Sequence, residues 1–451
     1  MKDLTRGNTL KTFLLFAIPL VFGGVLSQGY NLVDTIIAGQ MLGDTGLAAI
    51  GATGSFITLV SSALWGFGGG YAVYIARLFG SKDYKHMKNC ILSGYLFITF
   101  VAIIFGIVLV LLKDPIFDIL KVDATIRDDT FAYFGIYVAG LFIIVLNNFG
   151  FSIMNALGES TYPFFMSLVA AVLNVCGNIF AIAILKMGVM GVAASSVFSA
   201  LIVNVFYIMR LKKCFDELGL KKEPVKFSVS YIKESLPYAG PNAFQQTVLY
   251  IAGVIASAII NGMGAAATAG FIVIMRIYDF CAQIYQNSAK TISNYTAQCV
   301  GAGKTDKIRK GLWIGIAQGC AFVFPVIVAC MIFAGPVCSL FFDAEADPEA
   351  VEIALTFTKY YLPFLVFQLL CNIFHALFRG VKSVKCLFIS TLVGAVSRIL
   401  LTVVLANFYG INGVLIAWVL SWIAETVYSF VIFMGDSWLP GKEIKNENND
   451  V

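Results

Sequence analysis

Residues 30 to 54 read YNLVDTIIAGQMLGDTGLAAIGATG, a stretch that sets one acid, Asp34, inside an apolar run and then turns the chain through GDTG at 43 to 46. The apolar run begins near Thr12 and continues to Leu42. Its roughly 31 residues, at ~1.5 Å of rise each, exceed a ~30 Å hydrocarbon core. The segment therefore reads as a membrane-spanning helix with Asp34 roughly 12 Å below its outer end. A second long apolar helix is expected after the turn.

Of the 451 residues, 59% are hydrophobic and 13% charged, with a mean hydropathy of +0.85. A soluble core cannot bury so much apolar surface, so a polytopic membrane protein embedded in the lipid bilayer is predicted. Apolar sequence follows Lys11 without an AxA-like site, which reads as a retained span and not a cleaved signal. The net charge of +5 comes from basic residues in short loops, not along one face. These residues are assigned to membrane topology, and no nucleic-acid partner is expected. The ten cysteines lack CxxC spacing and read as small hydrophobes. His86 and His375 are too few and too far apart for a metal site, so neither a metal nor a cofactor is predicted.

Hydrophobic windows predict an all-α protein of twelve transmembrane helices. Alternate connections are basic, as at Lys82, Lys85 and Lys88 or Lys304, Lys307, Arg309 and Lys310, and the opposite ones acidic, as at Asp123, Asp128 and Asp129. The positive-inside rule then puts both termini in the cytoplasm. The run DAEADPEAVE lacks the spacing of a calcium loop. It reads as a helix start, with Asp347 as N-cap and Pro348 at the first helical position.

The charged stretch RLKKCFDELGLKKEPVKFSVSYIKE falls at the midpoint of the chain, and the halves on either side are repeats. ARLFGSKDYKHMKN (76 to 89) matches AQCVGAGKTDKIRK (297 to 310), and KMGVMGVAASS (186 to 196) matches FYGINGVLIAW (408 to 418). Pro19 is set opposite Pro237 and Gly46 opposite Gly264. The organisation predicted is an N-terminal six-helix lobe (1–209), a cytoplasmic linker (210–233), a C-terminal six-helix lobe (234–434) and a cytoplasmic tail (435–451). Two lobes of one topology imply a parallel repeat about the membrane normal and a central cleft, an architecture of transporters rather than enzymes. No Walker motif is present, so transport is expected to be secondary.

Pro19 fifteen residues before VDTIIAG, the GDTGLAAIG turn, GAGK after the eighth helix, HALFRG at 375 to 380 and the paired GVMGVAASS and GINGVLIAW segments together resemble the multidrug and toxic compound extrusion (MATE) family. The resemblance implies an inner-membrane exporter of amphipathic, often cationic small molecules, driven by inward H+ or Na+. It puts Asp34 on the family's first-helix acid, Tyr30 on an aromatic one turn earlier and Pro19 on the proline where that helix bends. It puts Asn155 on a polar site of helix four, Asn174 and Asn178 on the asparagine and acid of helix five, and Ser196 on a hydroxyl of helix six. Gln245 and Gln368 stand where one branch carries the carboxylates of a proposed Na+ site, which favours H+ as the coupling ion.

An ionised carboxylate at lipid depth costs several kcal/mol, so Asp34 must face a polar cavity, be protonated, or both. Asn174 and Asn178 share one helix face at i, i+4, as do Tyr30 and Asp34. Tyr30, Asp34, Asn174 and Asn178 are the candidate ion-coupling residues, and Asn155, Ser196, Gln245, Gln368, Arg276 and Asp279 the candidate substrate-binding ones. The bland reading makes the asparagines interhelical glue and Arg276 with Asp279 a local pair. Phe and Met, 39 and 12 in number, suffice to line a cleft for flat cations. The alternative function is a flippase for lipid-linked oligosaccharides of the same wider superfamily. An enzyme is not expected, and a monomer is.

Overall fold

In a computed structural model of the chain, residues 1–120, 122–342 and 346–439 are described, apart from the side chains of Asn31, Leu32, Asp44, Leu47 and Ser55. Asp343 and Glu345 of the acidic run, and the tail from residue 440, lie outside the described residues. The described chain is helical almost throughout. The spans are α1 (Thr9–Gly43), α2 (Phe56–Gly80), α3 (Tyr84–Leu111), α4 (Arg127–Ala139 and Leu141–Ala156, bent by 48°), α5 (Thr161–Ile184), α6 (Val189–Glu217), α7 (Val229–Asn261), α8 (Ala265–Gly301), α9 (Asp306–Ile332) and α10 (Pro348–Val381). The last helix, Val384–Met434, has 51 residues and breaks at Gly410 (φ 55°, ψ −137°). At ~1.5 Å per residue its length crosses a ~30 Å core twice. It is therefore two spans, α11 before Gly410 and α12 after it, which makes twelve among the described residues.

The repeat is written in the backbone. Gly188 has φ 57° and ψ −139° and Gly410 has φ 55° and ψ −137°. Gly43 (φ 69°, ψ −172°) breaks the chain between α1 and α2 as Gly264 (φ 114°, ψ 174°) does between α7 and α8. Gly43, and not Gly46, is thus the counterpart of Gly264: the sequence match was set three residues late, because either glycine of GDTG satisfies the pattern and only one turns the chain. Short helices at Lys113–Ile119 and Ala334–Ser339 follow α3 and α9 in the same way.

The described chain divides into two compact units that do not follow the loop polarity. One contains Met1–Asp3 and Phe22–Phe244, the other Leu4–Val21 and the chain from Gln245. The packing boundaries therefore run inside α1 and α7, just after Pro19 and Pro241, whereas bounds at 209 and 234 follow polar residues. The linker is also shorter than 210–233: α6 continues to Glu217 because Leu211, Cys214 and Phe215 stay buried on its apolar side. What remains is pinned to the first unit, where Lys88 Nζ donates to the carbonyls of Leu220 and Glu223, both at 2.9 Å, and Lys85 pairs with Glu223 at 2.6 Å.

Candidate functional site

In the first unit, α6 packs against α4 and α5. Asn174 and Asn178 lie one turn apart on α5, and both are fully buried. The Asn178 Nδ2 donates to Asp34 Oδ1 of α1 and also lies 3.0 Å from Asn174 Oδ1. Ser196 of α6 meets the Asn174 amide at 3.0 Å. With the Asn174 nitrogen turned to the acid, it donates to Asp34 Oδ1 at 3.1 Å, while its oxygen accepts from Tyr30 OH at 3.2 Å and from Ser196 Oγ at 3.0 Å. Of the six candidate residues in the first repeat, all but one thus meet at one carboxylate, Asp34's own. Interhelical amides supply the hydrogen bonds that this half-buried acid needs, since unpaired polar groups at lipid depth are costly.

Asn155 is the exception. It ends α4, where its backbone carbonyl accepts from Gly158 N at 3.0 Å in the turn to α5. The chain then runs along α5 from Thr161 before reaching Asn178, roughly 25 Å at 1.5 Å per residue. Asn155 is buried with both amide atoms unpartnered among the described residues, at the other end of the helix from Asp34. What joins the acid's surroundings instead is a tyrosine pair on α4, Tyr133 and Tyr137, stacked at 5.9 Å and within electrostatic reach of Tyr30. Tyr133 also packs against the apolar cluster of Ala38, Ile182 and Val192, one turn beyond Asp34 and Asn178. Their i, i+4 spacing was the available signal.

In the second unit, Gln245 Nε2 lies 2.6 Å from His375 Nδ1. His375 Nε2 is 2.9 Å from Ser390 Oγ and 3.2 Å from Glu425 Oε1. Sequence reasoning weighs His375 only as a metal ligand and does not pair it with Glu425, which lies 50 residues away on another helix. Gln368 is two turns before His375 on α10, buried, with its side-chain oxygen unpartnered among the described residues. Arg276 and Asp279 feel each other's charge but form no contact ion pair among the described residues, and Arg276 is exposed, so the local pair expected of them is loose. Asp347 caps α10 as expected, its carboxylate accepting from Glu349 N at 2.9 Å. Outside the spans, Glu159 sits between α4 and α5. Burial pushes its carboxyl up, but hydrogen bonds from Arg210 and the Met1 ammonium outweigh that and hold it below the ordinary value.

An acid caged by amides between membrane helices, in each half of a duplicated bundle a separate polar centre, is the organisation of a secondary transporter. The MatE family model matches residues 19–180 and again 241–404, one match in each repeat. The chain belongs to the MATE family of multidrug efflux transporters. Among its relatives, the probable multidrug resistance protein YpnP of Bacillus subtilis is 22% identical over 378 residues, 82% of this chain and 83% of YpnP. The multidrug export protein MepA of Staphylococcus haemolyticus is 22% identical over 94% of this chain and 93% of its own. A mutant of the Vibrio cholerae MATE transporter VcmN has the same fold, with a TM-score of 0.88 and 18% identity over 95% of this chain and 96% of that one. These relatives and this neighbour are transporters, and the flippase alternative is not favoured.

Proposed function

We propose that this protein is a secondary antiporter of the cell membrane that exports amphipathic cations in exchange for protons, with both termini cytoplasmic and one chain as the working unit. The observation that carries the reading is Asp34, a carboxylate held by Asn178 and Asn174 at lipid depth. Carboxylate and carboxylic acid differ by one proton and one charge, and only the neutral form is cheap there. The two asparagines serve both states, since an amide can donate to the carboxylate or accept from the acid. Tyr30, Asn174 and Asn178 are the positioning residues of this proton site, and Ser196 with the tyrosines of α4 would meet the substrate. Gln245, Gln368, Arg276 and Asp279 line the second unit's share of the path.

H+ is favoured over Na+ because Gln245 and Gln368 are neutral, and a hard cation selects several oxygen ligands including charged ones. Pro19 and Pro241 stand next to the residues where α1 and α7 change packing unit, which supports a hinge at Pro19. The relatives' names as multidrug export and resistance proteins support the substrate class. The test is efflux of ethidium from proteoliposomes under separately imposed gradients. Export driven by ΔpH without Na+ is expected. Export that needs Na+ and ignores ΔpH would overturn the proton assignment.

A further inference from the structure

The second unit contains a buried titratable centre that the Asp34 reading does not use. It is assembled from four helices: Gln245 on α7, His375 on α10, Ser390 on α11, and Glu425 with Ser429 on α12. His375 and Glu425 are 5% and 4% exposed, so neither reaches bulk water in this conformation. Ser390 Oγ lies 2.7 Å from Ser429 Oγ, extending the hydrogen-bonded chain to a second hydroxyl. The glutamate fits only because α11 presents a glycine to it. A Cβ built on Gly394 would stand 2.5 Å from Glu425 Oε2.

The protons can be followed around the ring. With Gln245 Nε2 facing His375 Nδ1 at 2.6 Å, Nδ1 is the acceptor of a neutral imidazole, and Nε2–H is left for Ser390 or Glu425. In that state the Gln245 Oε1 is buried without a partner among the described residues. Adding a proton to Nδ1 makes both ring nitrogens donors. A half-turn of the Gln245 amide then brings the orphaned Oε1 to accept from Nδ1–H. A proton on the ring puts its charge beside Glu425, whose Oε1 lies 3.2 Å from His375 Nε2, so a buried charge gains the partner it needs. Cys371 on α10 and Tyr278 on α8 also feel the charge of Glu425, and Arg398 on α11, whose guanidinium sits over Trp418 at 5.5 Å and Trp422 at 6.0 Å, is within electrostatic reach of both.

We propose that Gln245, His375 and Glu425 form a second proton-binding site, and that the proton it holds sets the hydrogen bond by which α7 is tied to α10. Gln245 is the first residue of α7 that belongs to the second unit, so this bond lies at the point where the helix changes partners. The site is independent of Asp34, and stands or falls without it.

The test reads the proton directly. The full-length protein with ring-15N histidine in detergent, together with a His86→Gln variant that leaves His375 as the sole histidine, is titrated by NMR from pH 5.5 to 8.5. A change of His375 protonation within that range is the result expected of a proton-binding site. In Glu425→Gln its affinity for the proton should fall by about tenfold, an apparent shift of about one pH unit. Asp34→Asn should leave the curve in place, so loss of the Asp34 reading would not alter this result. A His375 spectrum that stays constant across the range in native protein, or curves that coincide with and without Glu425, would overturn the proposal. The native titration needs no variant at the site itself, so misfolding of Glu425→Gln cannot hide the answer.

Discussion

In the first repeat the chain enters α6 through Gly188 at φ 57° and ψ −139°, and in the second it enters α12 through Gly410 at φ 55° and ψ −137°. Counted from that pair, Glu425 falls opposite Val203. Counted from Gly43 and Gly264, Asp34 falls opposite Ile255. Each repeat thus has an apolar residue where the other has its membrane carboxylate, half-buried at Asp34 and buried at Glu425. The first gathers its polar groups from α1, α5 and α6, and the second from α7, α10, α11 and α12. The difference teaches that duplication preserved the turns, which any working copy of the fold needs, and left the polar centres free to diverge.

The largest effect should come from the acid of the first repeat. Asp34→Asn keeps the size and hydrogen bonding of the side chain but cannot titrate. Uphill ethidium export should fall to background while ethidium binding persists, and Asp34→Glu should keep part of the export with a displaced pH profile. If Asp34→Asn protein, well expressed and reconstituted, exported at the normal rate under ΔpH, the two centres would have changed places in importance. The one around Glu425 would then be the first to examine.

Much of the first centre was legible because its signals are local. Asn174 and Asn178 are one helical turn apart in an apolar helix, and so are Tyr30 and Asp34, so each pair could be assigned to a face before any packing was known. The second centre was not, because His375, Ser390 and Glu425 meet only once the relative registers of α10, α11 and α12 are set. Helical periodicity says nothing about register between helices. Asn155 stands apart for a related reason: the resemblance gives it a helix but no position along it, and the turn at Gly158 puts it at that helix's end. The linker was read too long since charge marks solvent, and an amphipathic helix end such as 210 to 217 carries charge on one side only.

The turn between α4 and α5 offers the second test. Its Glu159 side chain is 11% exposed and holds Arg210 and the Met1 ammonium, the latter at 2.7 Å. The second repeat has Ser383 at the corresponding place, buried with its hydroxyl unpartnered among the described residues. Because the folded carboxyl titrates below its ordinary value, its stabilisation is complete above the unfolded range and fades as pH falls through the folded value. Thermal unfolding in detergent should show an acid-sensitive loss of stability that Glu159→Gln removes, at a cost of about 3 kcal/mol near neutral pH. An unchanged acid limb in the variant would separate Glu159 from that loss.

A smaller and symmetric effect is expected at the paired breaks. Gly188 and Gly410 hold a conformation that L residues rarely adopt, and no atom lies within 4 Å of a Cβ built on either. Alanine at each should therefore cost only its backbone strain, about 2 kcal/mol. The two costs should agree to within about 0.5 kcal/mol, the usual additivity error. Unequal losses, measured by unfolding in mixed micelles, would mean that the repeats are alike in shape but not in how rigidly each turn is held.

The smallest effect lies at the helix ends, where the repeats exchange lysine for glycine. After α2, Lys82 N donates to Phe79 O and Asp83 N to Leu78 O, both at 3.2 Å. After α8, Gly303 N donates to Val300 O at 3.2 Å and Lys304 N to Cys299 O at 2.9 Å. These are one Schellman cap in two copies, with the residue after the helix at φ 60° in lysine and 69° in glycine. The cap recurs with the roles reversed at Gly158 (φ 77°) and Lys382 (φ 67°). A lysine in the left-handed region carries about 1–2 kcal/mol of strain, partly offset because glycine has more unfolded-state entropy to lose, about 0.5–1 kcal/mol. Lys82→Gly and Lys382→Gly should thus each stabilise by about 0.5 kcal/mol, and Gly303→Lys should destabilise by a similar amount. Gly158 breaks the symmetry. A Cβ there would stand 2.0 Å from the Lys2 carbonyl oxygen, so Gly158→Lys must displace residues 1 to 3 from the first unit and should cost several times more than Gly303→Lys. Four melting curves decide it: three small shifts with one large loss support caps set by local conformation, and a Gly158→Lys protein as stable as Gly303→Lys would show that the amino-terminal segment contributes nothing to the fold of its unit.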